Sequence, residues 1–503
     1  MELELHALDD YRRLLFDEGL VVETNMGKID TKVSKISYNS KAVEDGTLFV
    51  CKGIHFSPKY LLDAINSGAI GYVAEKKFDE VDSSVPYIIV NDMRKTLALI
   101  ANYYYGNVWK YLKAVGITGT KGKSTTTHFM KFILDEHMKE LGSDIRSAYL
   151  TGIHNYDGVI DEKSHLTTAE TFELHEHFYN AVQSGIKYLT MEVSSQALKY
   201  HRTYGVGYEV GCFLNIGQDH ISAHEHKDFN DYFTSKLKLF DQCKIACVNL
   251  DCDHADEVLE AAKAGKNVEK VYTFSQKADC DFKAYDIKPG NGGIDFKVKC
   301  DSFDEAFRIE VPGLFNVANA LAAVTMSAAL GISVSAIKKG LELAHVSGRM
   351  EKAVKDGKIA IVDYAHNKLS FETLFKAMKQ EFPERKIFIV FGCPGGKAYD
   401  RRQEMGELAG EYCDKVYLTE DDPAEEKVID ICHEIEKYVK KYDCEEEIVL
   451  DRTEAIRKAI HEMDDNTVLL VAGKGHETDQ KRGTTYVPMK SDYDTVKEIF
   501  SSL

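Results

Sequence analysis

The sequence is short of positive charge. Its 63 Lys and Arg stand against 81 Asp and Glu, a formal net charge of -18, so it lacks the basic face that nucleic acid or an anionic membrane would require. It has no apolar run of about 18 residues, which excludes a membrane-spanning helix. Its opening, MELELHALDDYRRLLF, lacks the basic-then-apolar pattern of a secretory signal. The 11 cysteines are scattered without paired spacing, unlike a zinc site or a small disulfide framework. Neither a short-period repeat nor a low-complexity tract is present. Together these absences point to a cytoplasmic chain with no nucleic-acid partner and no membrane insertion.

What is there fits an ordinary globular chain, with 44% hydrophobic and 29% charged residues over a length of 503. That length exceeds one core, and at roughly 150 residues per domain it predicts about three. Residues 35–39 (KISYN) and 47–52 (TLFVCK) read as short strands around a turn at 44–46, and 60–69 has helical spacing. This small mixed α/β domain is expected over residues 1–109. From 110 to 345, apolar runs such as 188–193 and 245–250 alternate with amphipathic segments, as in a parallel sheet with crossover helices. Residues 278–312 look like a strand-rich insertion. A second, Rossmann-like α/β rhythm fills 346–503, with buried-strand candidates at 358–363, 386–391, 415–419 and 467–472.

The segment GITGTKGKSTTT at 116–127 follows an apolar, strand-like run over 111–115. Backbone N–H groups of a glycine-rich turn and the amino end of the next helix form an anion cradle. Lys123 adds a point charge on the outer phosphates and Ser124 can ligate Mg²⁺. A strict phosphate loop would have glycine at 117, where this chain has isoleucine. Downstream, MEVSS at 191–195 ends a buried strand with an acid, a position from which Glu192 can hold the metal of a nucleotide. NIGQDH at 215–220, with His224 and His226 beyond it, places costly polar groups at the end of an apolar strand.

Taken in order, these elements resemble the Mur ligase family over essentially the whole chain. The family's TGTxGK[ST] loop is at 118–124, its N-x-x-x-DH element at 215–220, and its Tyr-x-x-x-Lys-x-x-Leu-Phe element at 232–240. GLFNVAN at 313–319, GRME at 348–351, DYAH at 363–366 and AGKGHE at 472–477 come after them. The resemblance implies a three-domain α/β fold and an ATP- and Mg²⁺-dependent, amide-forming ligase of peptidoglycan precursor synthesis. In such an enzyme Gly119, Thr120, Gly122, Lys123, Ser124 and Thr125 cradle ATP. Glu192 and His220 join Ser124 as metal ligands, and Lys236 is carbamylated and positions a second metal ion. Asn316 contacts adenine, Arg349 and Asp363 bind the nucleotide from the last domain, and that domain closes over the site.

The MEVSS, GRME and AGKGHE elements are most similar to the MurE type, which adds the third residue to UDP-N-acetylmuramoyl-L-Ala-D-Glu. On that resemblance Ser40 meets the uridine diphosphate, within Asn-Ser-Lys where Asp-Ser-Arg is usual. Thr167, Thr168 and Ser194 meet the muramoyl peptide, and Arg202 meets the D-Glu carboxylate. Gly473 and Glu477 match positions at the amino acid's α-amino end. Departures are Ala169 for a proline, Gln196 for a histidine, HNKL at 366–369 for His-Thr-Pro-Asp, and GCPGGK at 392–397 for Gly-Cys-Gly-Gly-Asp-Arg.

Enzymes of this type that take meso-diaminopimelate carry Asp-Asn-Pro-Arg, whose arginine can pair bidentately with the distal carboxylate. This chain has DDPAEE at 421–426. Without the arginine, an unpaired distal carboxylate would cost on the order of 1–3 kcal/mol, and nearby carboxylates, Asp421 and Asp422 foremost, favour a side chain ending in an ammonium. L-lysine is the expected substrate, with ornithine or meso-diaminopimelate as alternatives. Glu425 and Glu426 read more simply as the start of a solvated helix.

Rival readings differ in what they require. A folylpolyglutamate synthase would lack the amino-terminal nucleotide domain, and a cyanophycin-type ligase would need an ATP-grasp region for which this length leaves no room. A non-catalytic Mur-like regulator would have a damaged metal or lysine position.

Overall fold

The computed structural model describes residues 3–26, 29–53, 56–219, 221–222, 225–290 and 293–503. The chain divides into two compact units, Met1–Phe282 with Ala322–Ile337, and Lys283–Leu321 with Lys338–Leu503.

The first unit opens with a five-stranded sheet of β1 (Val21–Thr24), β2 (Lys35–Ser37), β3 (Thr47–Val50), β4 (Ala69–Ala74) and β5 (Tyr87–Val90), ordered β1-β5-β4-β3-β2. β1 pairs antiparallel with β5, and the other pairings are parallel. β3 and β5 are buried at every position, as parallel strands covered on both faces must be. The expected helix at 60–69 is Pro58–Asn66, and Ala69 already begins β4. Helix Met93–Tyr104 closes the lobe, capped by Asp92, whose carboxylate accepts the amides of Arg94 and Lys95. Asn102 Nδ2 donates to Tyr204 O at 3.0 Å, and the Arg94 guanidinium lies 3.7 Å from the Tyr200 ring centre, so the lobe is fastened to residues 200–204 of the same unit.

The second sheet of this unit uses β6 (Lys113–Thr118), β7 (Ala148–Leu150), β8 (His154–Tyr156), β9 (Asp161–Lys163), β10 (Tyr188–Glu192), β11 (Tyr208–Phe213), β12 (Cys243–Asn249) and β13 (Lys270–Ser275). They run in the order β13-β12-β11-β6-β10-β7-β8-β9. Pairing is parallel from β13 to β7, and β8 and β9 are antiparallel additions at one edge. The phosphate-loop strand differs from the expected 111–115. Tyr111 is exposed in a short 3-10 turn, and the strand is β6, which carries Gly116, Ile117 and Thr118 in the core. Ile117 is thus a buried strand residue.

In the second unit β14 (Phe282–Gly290), β15 (Gly293–Lys299) and β16 (Asp304–Ile309) form the antiparallel meander expected near 278–312. Next comes a six-stranded sheet, with β17 (Glu351–Lys355), β18 (Lys358–Asp363), β19 (Lys386–Phe391), β20 (Lys415–Leu418), β21 (Glu445–Ile448) and β22 (Thr467–Ala472) in the order β17-β18-β22-β19-β20-β21. Only β17 is antiparallel. A hairpin of β23 (Asp479–Arg482) and β24 (Thr485–Pro488) completes it. Among the described residues no helix is long and apolar enough to cross a membrane, and all 11 cysteines are free thiols.

Candidate active site

The loop after β6 turns into helix Lys123–Glu140 at Gly122, whose φ of 86° is left-handed. A side chain there would be strained, so the glycine is what brings the helix amino end onto the loop. Lys123 Nζ donates back to the carbonyls of Gly119 (2.9 Å) and Thr120 (3.3 Å). Ser124 Oγ donates to Glu192 Oε1 at 2.7 Å, and the Gly152 amide donates to the same oxygen at 2.9 Å. The register explains this meeting: Glu192 is the last residue of β10, paired beside Ile117 of β6. Thr125 is buried one residue further on.

Asn215, at the end of β11, fastens the loop from the other side. Its Oδ1 accepts the amides of Thr120 (3.0 Å) and Lys121 (2.9 Å), and its Nδ2 donates to Lys121 O (3.0 Å). The polar cluster after β11 is therefore partly a loop lock. Thr120 Oγ1 lies 3.0 Å from Tyr232 OH and accepts the Gly217 amide at 3.0 Å.

Lys236 sits one helical turn beyond Tyr232 and is only 1% exposed, so it is not a surface lysine. Its Nζ donates to Gly119 O at 2.9 Å and lies 4.6 Å from the Tyr232 ring centre. Burial, reinforced by the Lys123 charge and opposed in part by Asp219, holds this amine well below the usual lysine range. A buried amine with a lowered pKa thus lies against the carbonyl of the phosphate loop. His220 and His224 lie outside the described residues. Among the described residues no group of three His, Cys, Asp or Glu could hold a metal ion by itself.

The expected peptide contacts form a second cluster in this unit. Thr168 Oγ1 donates to Glu192 O (2.9 Å) and accepts the Ser194 amide (3.0 Å), while Ser194 Oγ caps helix Ser195–Lys199 by accepting the Ala197 amide at 3.1 Å. Arg202 Nη1 donates to Thr168 O at 3.1 Å. Thr167 is half-buried beside this cluster, and Ser40 is half-buried at the start of the 3-10 turn Ser40–Ala42 in the amino-terminal lobe. Gln196, where a histidine is usual, donates to Glu225 Oε1 at 3.1 Å.

The second unit gathers the remaining expected residues. Asn316 is buried, donates to Pro312 O at 2.6 Å and accepts from Asn319 at 2.9 Å. Asp363 accepts the amides of Met350 (2.9 Å) and Ala365 (2.8 Å), and the Arg349 guanidinium lies 4.7 Å from the Tyr364 ring centre. Between β20 and the hairpin, Asp421 and Asp422 meet the segment after β22. Lys474, only 1% exposed, bonds Asp422 Oδ1 (2.8 Å) and Glu477 Oε2 (2.5 Å), and Tyr364 OH donates to Glu477 Oε1 at 2.9 Å. Gly473 has φ 111°, and a side-chain carbon there would collide with Asp421 Oδ2.

Here the sequence expectation needs two corrections. The carboxylates expected to favour an incoming ammonium already hold one, because Lys474 of the same chain pairs with Asp422 and Glu477. Lys474 lies inside AGKGHE, a pattern that by itself assigns it no role. Glu425 and Glu426 do not begin a solvated helix. That helix is Val428–Val439, and Glu426 pairs with Arg402 (2.8 Å), itself 3% exposed, while accepting the Gly396 amide at 2.5 Å. The DDPAEE turn is instead fixed by left-handed residues at Asp422 (φ 46°) and Ala424 (φ 50°).

Burial raises the Asp421 carboxyl to about 7, against the opposing charges of Arg452 and Lys474. Asp422 stays below its usual range, because the bonds from Lys474 and the Lys481 amide outweigh its burial. No motif flagged Arg452, which is buried, bonds Asp492 through Nε (2.7 Å) and Nη2 (2.8 Å), and donates to Ala472 O (2.8 Å) and Glu420 O (3.3 Å). It ties the segments bearing Asp421 and Gly473 together.

Comparison with known proteins gives this geometry a context. Residues 117–327 match the Mur ligase middle domain, and residues 348–475 match the Mur ligase, glutamate ligase domain. A UDP-N-acetylmuramyl-tripeptide synthetase of Lactobacillus delbrueckii subsp. bulgaricus is 35% identical over 501 residues, covering 94% of this chain and 95% of its own. The chain belongs to the Mur ligase family. Its members are ATP-dependent acid–amino-acid ligases, and this Mur ligase is one of them. A second relative, the UDP-N-acetylmuramoyl-L-alanyl-D-glutamate–2,6-diaminopimelate ligase of Clostridium perfringens, is 35% identical over 472 residues, 92% of this Mur ligase and 94% of its own chain. A solved structure of a ligase of that same name shares the fold with a TM-score of 0.71, at 23% identity over 96% of this Mur ligase and 97% of that chain.

Proposed function

We propose that this Mur ligase adds L-lysine as the third residue to UDP-N-acetylmuramoyl-L-Ala-D-Glu in the cytoplasm, by way of an acyl phosphate. The observation that carries the reading is the convergence of Ser124, Glu192 and the buried Lys236 amine on one phosphate loop. In this reading residues 1–109 hold the uridine nucleotide, 110–345 hold ATP, and 346–503 select the amino acid.

A substrate carboxylate oxygen attacks the γ-phosphorus of ATP and ADP leaves. The amine of lysine, having lost its proton, then adds to the acyl carbon and phosphate departs with the transferred oxygen. Lys123 and the loop amides meet the charge that develops on the phosphoryl oxygens, and Arg202 orients the acceptor. The hard oxygens of Ser124 and Glu192 suit Mg²⁺; His220 would complete the set, and a carbamate on Lys236 would serve a second ion. When bound, Mg²⁺ supplies charge neutralisation on the triphosphate. A carbamate forms only on an un-ionised amine, and burial lowers the pKa of Lys236 in that direction.

L-lysine is favoured over meso-diaminopimelate because Ala424 stands where an arginine would pair with a distal carboxylate. The carboxylates of Asp422 and Glu477, shared with Lys474, can still accept an ammonium. Phosphate release is measured with ATP and UDP-N-acetylmuramoyl-L-Ala-D-Glu, supplying L-lysine, L-ornithine, meso-diaminopimelate or no amino acid. Highest kcat/KM with L-lysine supports the assignment, and turnover with meso-diaminopimelate alone refutes it.

A further inference from the structure

Among the described residues, Arg202 has two polar anchors. Of its five N–H groups, one on Nη1 donates to Thr168 O (3.1 Å) and one on Nη2 meets Glu170 Oε1 (2.6 Å). These two anchors fix the guanidinium plane and leave an edge to receive a carboxylate. Thr168 is in turn bonded to Glu192 O and to the Ser194 amide, so the orientation of Arg202 is keyed to the strand end that faces Ser124.

The second anchor raises an electrostatic difficulty. An isolated Arg202–Glu170 pair is neutral, and Glu170 would repel the carboxylate that Arg202 is meant to receive. The remaining oxygen of Glu170 resolves it by pairing with Nζ of Lys52, which lies just past β3 in the amino-terminal lobe. The Lys52 ammonium also lies 4.5 Å from the Tyr38 ring centre, and Tyr38 stacks on Phe172 at 5.2 Å, so the lobe delivers Lys52 to the start of helix Thr171–Gln183. The chain Lys52–Glu170–Arg202 carries two cations to one anion. Within this chain of three the surplus is one positive charge, with Glu173 and Glu176 of the adjoining helix also acting at Tyr38.

We propose that Lys52 is a positioning and specificity-determining residue for the acceptor. It acts through Glu170, cancelling the carboxylate that orients Arg202 so that Arg202 can take the free carboxylate of the acceptor's terminal residue. This rests on the acceptor assigned above. It makes the peptide site dependent on a residue of the lobe expected to hold the other end of the same substrate.

The test is the KM for UDP-N-acetylmuramoyl-L-Ala-D-Glu at saturating ATP and L-lysine, with thermal unfolding midpoints recorded for every variant. Lys52→Met should raise this KM about tenfold with kcat changed less than about twofold, and Lys52→Arg should keep the wild-type value. In the double variant Lys52→Met/Glu170→Gln the uncompensated carboxylate is gone, and KM should return to within about threefold of wild type. A loss of mere packing would not be rescued by a second deletion. Wild-type KM in Lys52→Met, or a double variant as impaired as the single, overturns the proposal. Absence of wild-type turnover on this acceptor instead overturns the functional reading, and this proposal with it.

Discussion

At the phosphate loop Lys123 and Lys236 donate to a carbonyl oxygen while Lys121 pairs with Asp219; in the carboxy-terminal sheet the buried lysine leans on two carboxylates. Lys123 and Lys236 both donate to Gly119 O, with Asp219 acting on Lys236 from nearby. Lys474 is matched by Asp422 and Glu477, and Arg452 by Asp492, so that site is balanced before any substrate arrives. The first arrangement lowers the pKa of an amine, and the second leaves Asp421 as the carboxyl with a raised one. On the proposed function, the contrast separates the loop assigned to phosphate chemistry from the ion-paired cluster assigned to choosing the amino acid.

The comparison can be broken most forcefully at Lys236. Lys236→Ala should lower kcat on the order of 10²-fold, with partial recovery on adding short carboxylic acids that replace a carbamate. Full activity of the variant in a phosphate-release assay would remove this lysine from the chemistry. At the balanced site the larger effect should be on stability. Lys474→Met strands two partly buried carboxylates, and denaturant unfolding should show a loss of about 3–5 kcal/mol. If the loss were under about 1 kcal/mol, the description of Lys474 as the counter-ion of this loop would be wrong.

Asp421 sharpens the contrast through pH. Its folded-state carboxyl is raised from 3.8 to about 7, so between those values the folded chain keeps a proton that the unfolded chain has released. Its contribution is therefore full below about pH 4 and lost as pH rises towards 7, by roughly 4 kcal/mol for a shift of about three units. Denaturant unfolding of Asp421→Asn should lack this slope, and parallel pH profiles for variant and wild type would contradict it. Smallest should be Glu426→Gln. Glu426 serves buried Arg402 and the Gly396 amide, so the cost should be about 1 kcal/mol or less, with the order of preference among amino acids unchanged. A shift in the kcat/KM ratio of lysine to ornithine would put Glu426 in the pocket.

Much of this was legible in the sequence because parallel strands buried on both faces must be continuous apolar runs. The runs at 358–363, 386–391 and 467–472 emerge as strands with those same bounds. β17 and β21 are alternating or acidic edge strands, EKAVK and EEEI, and left no such trace. The phosphate loop was readable from its glycines and Lys-Ser pair because a local motif builds it. The Asp422–Lys474 pairing and the Arg452–Asp492 clamp join residues 52 and 40 positions apart, a relation that spacing does not encode. Glu426 was misread for the same reason: its partner Arg402 lies 24 positions earlier, in helix Asp400–Tyr412.

The central claim is that the phosphate loop serves to activate a carboxylate. It is tested most directly with acceptor bearing ¹⁸O in the terminal carboxyl groups, by mass analysis of the phosphate released with ATP and L-lysine. Activation predicts one ¹⁸O in each phosphate formed, since the attacking oxygen leaves with the phosphoryl group. Unlabelled phosphate, formed at the same rate as the tripeptide product, would contradict it.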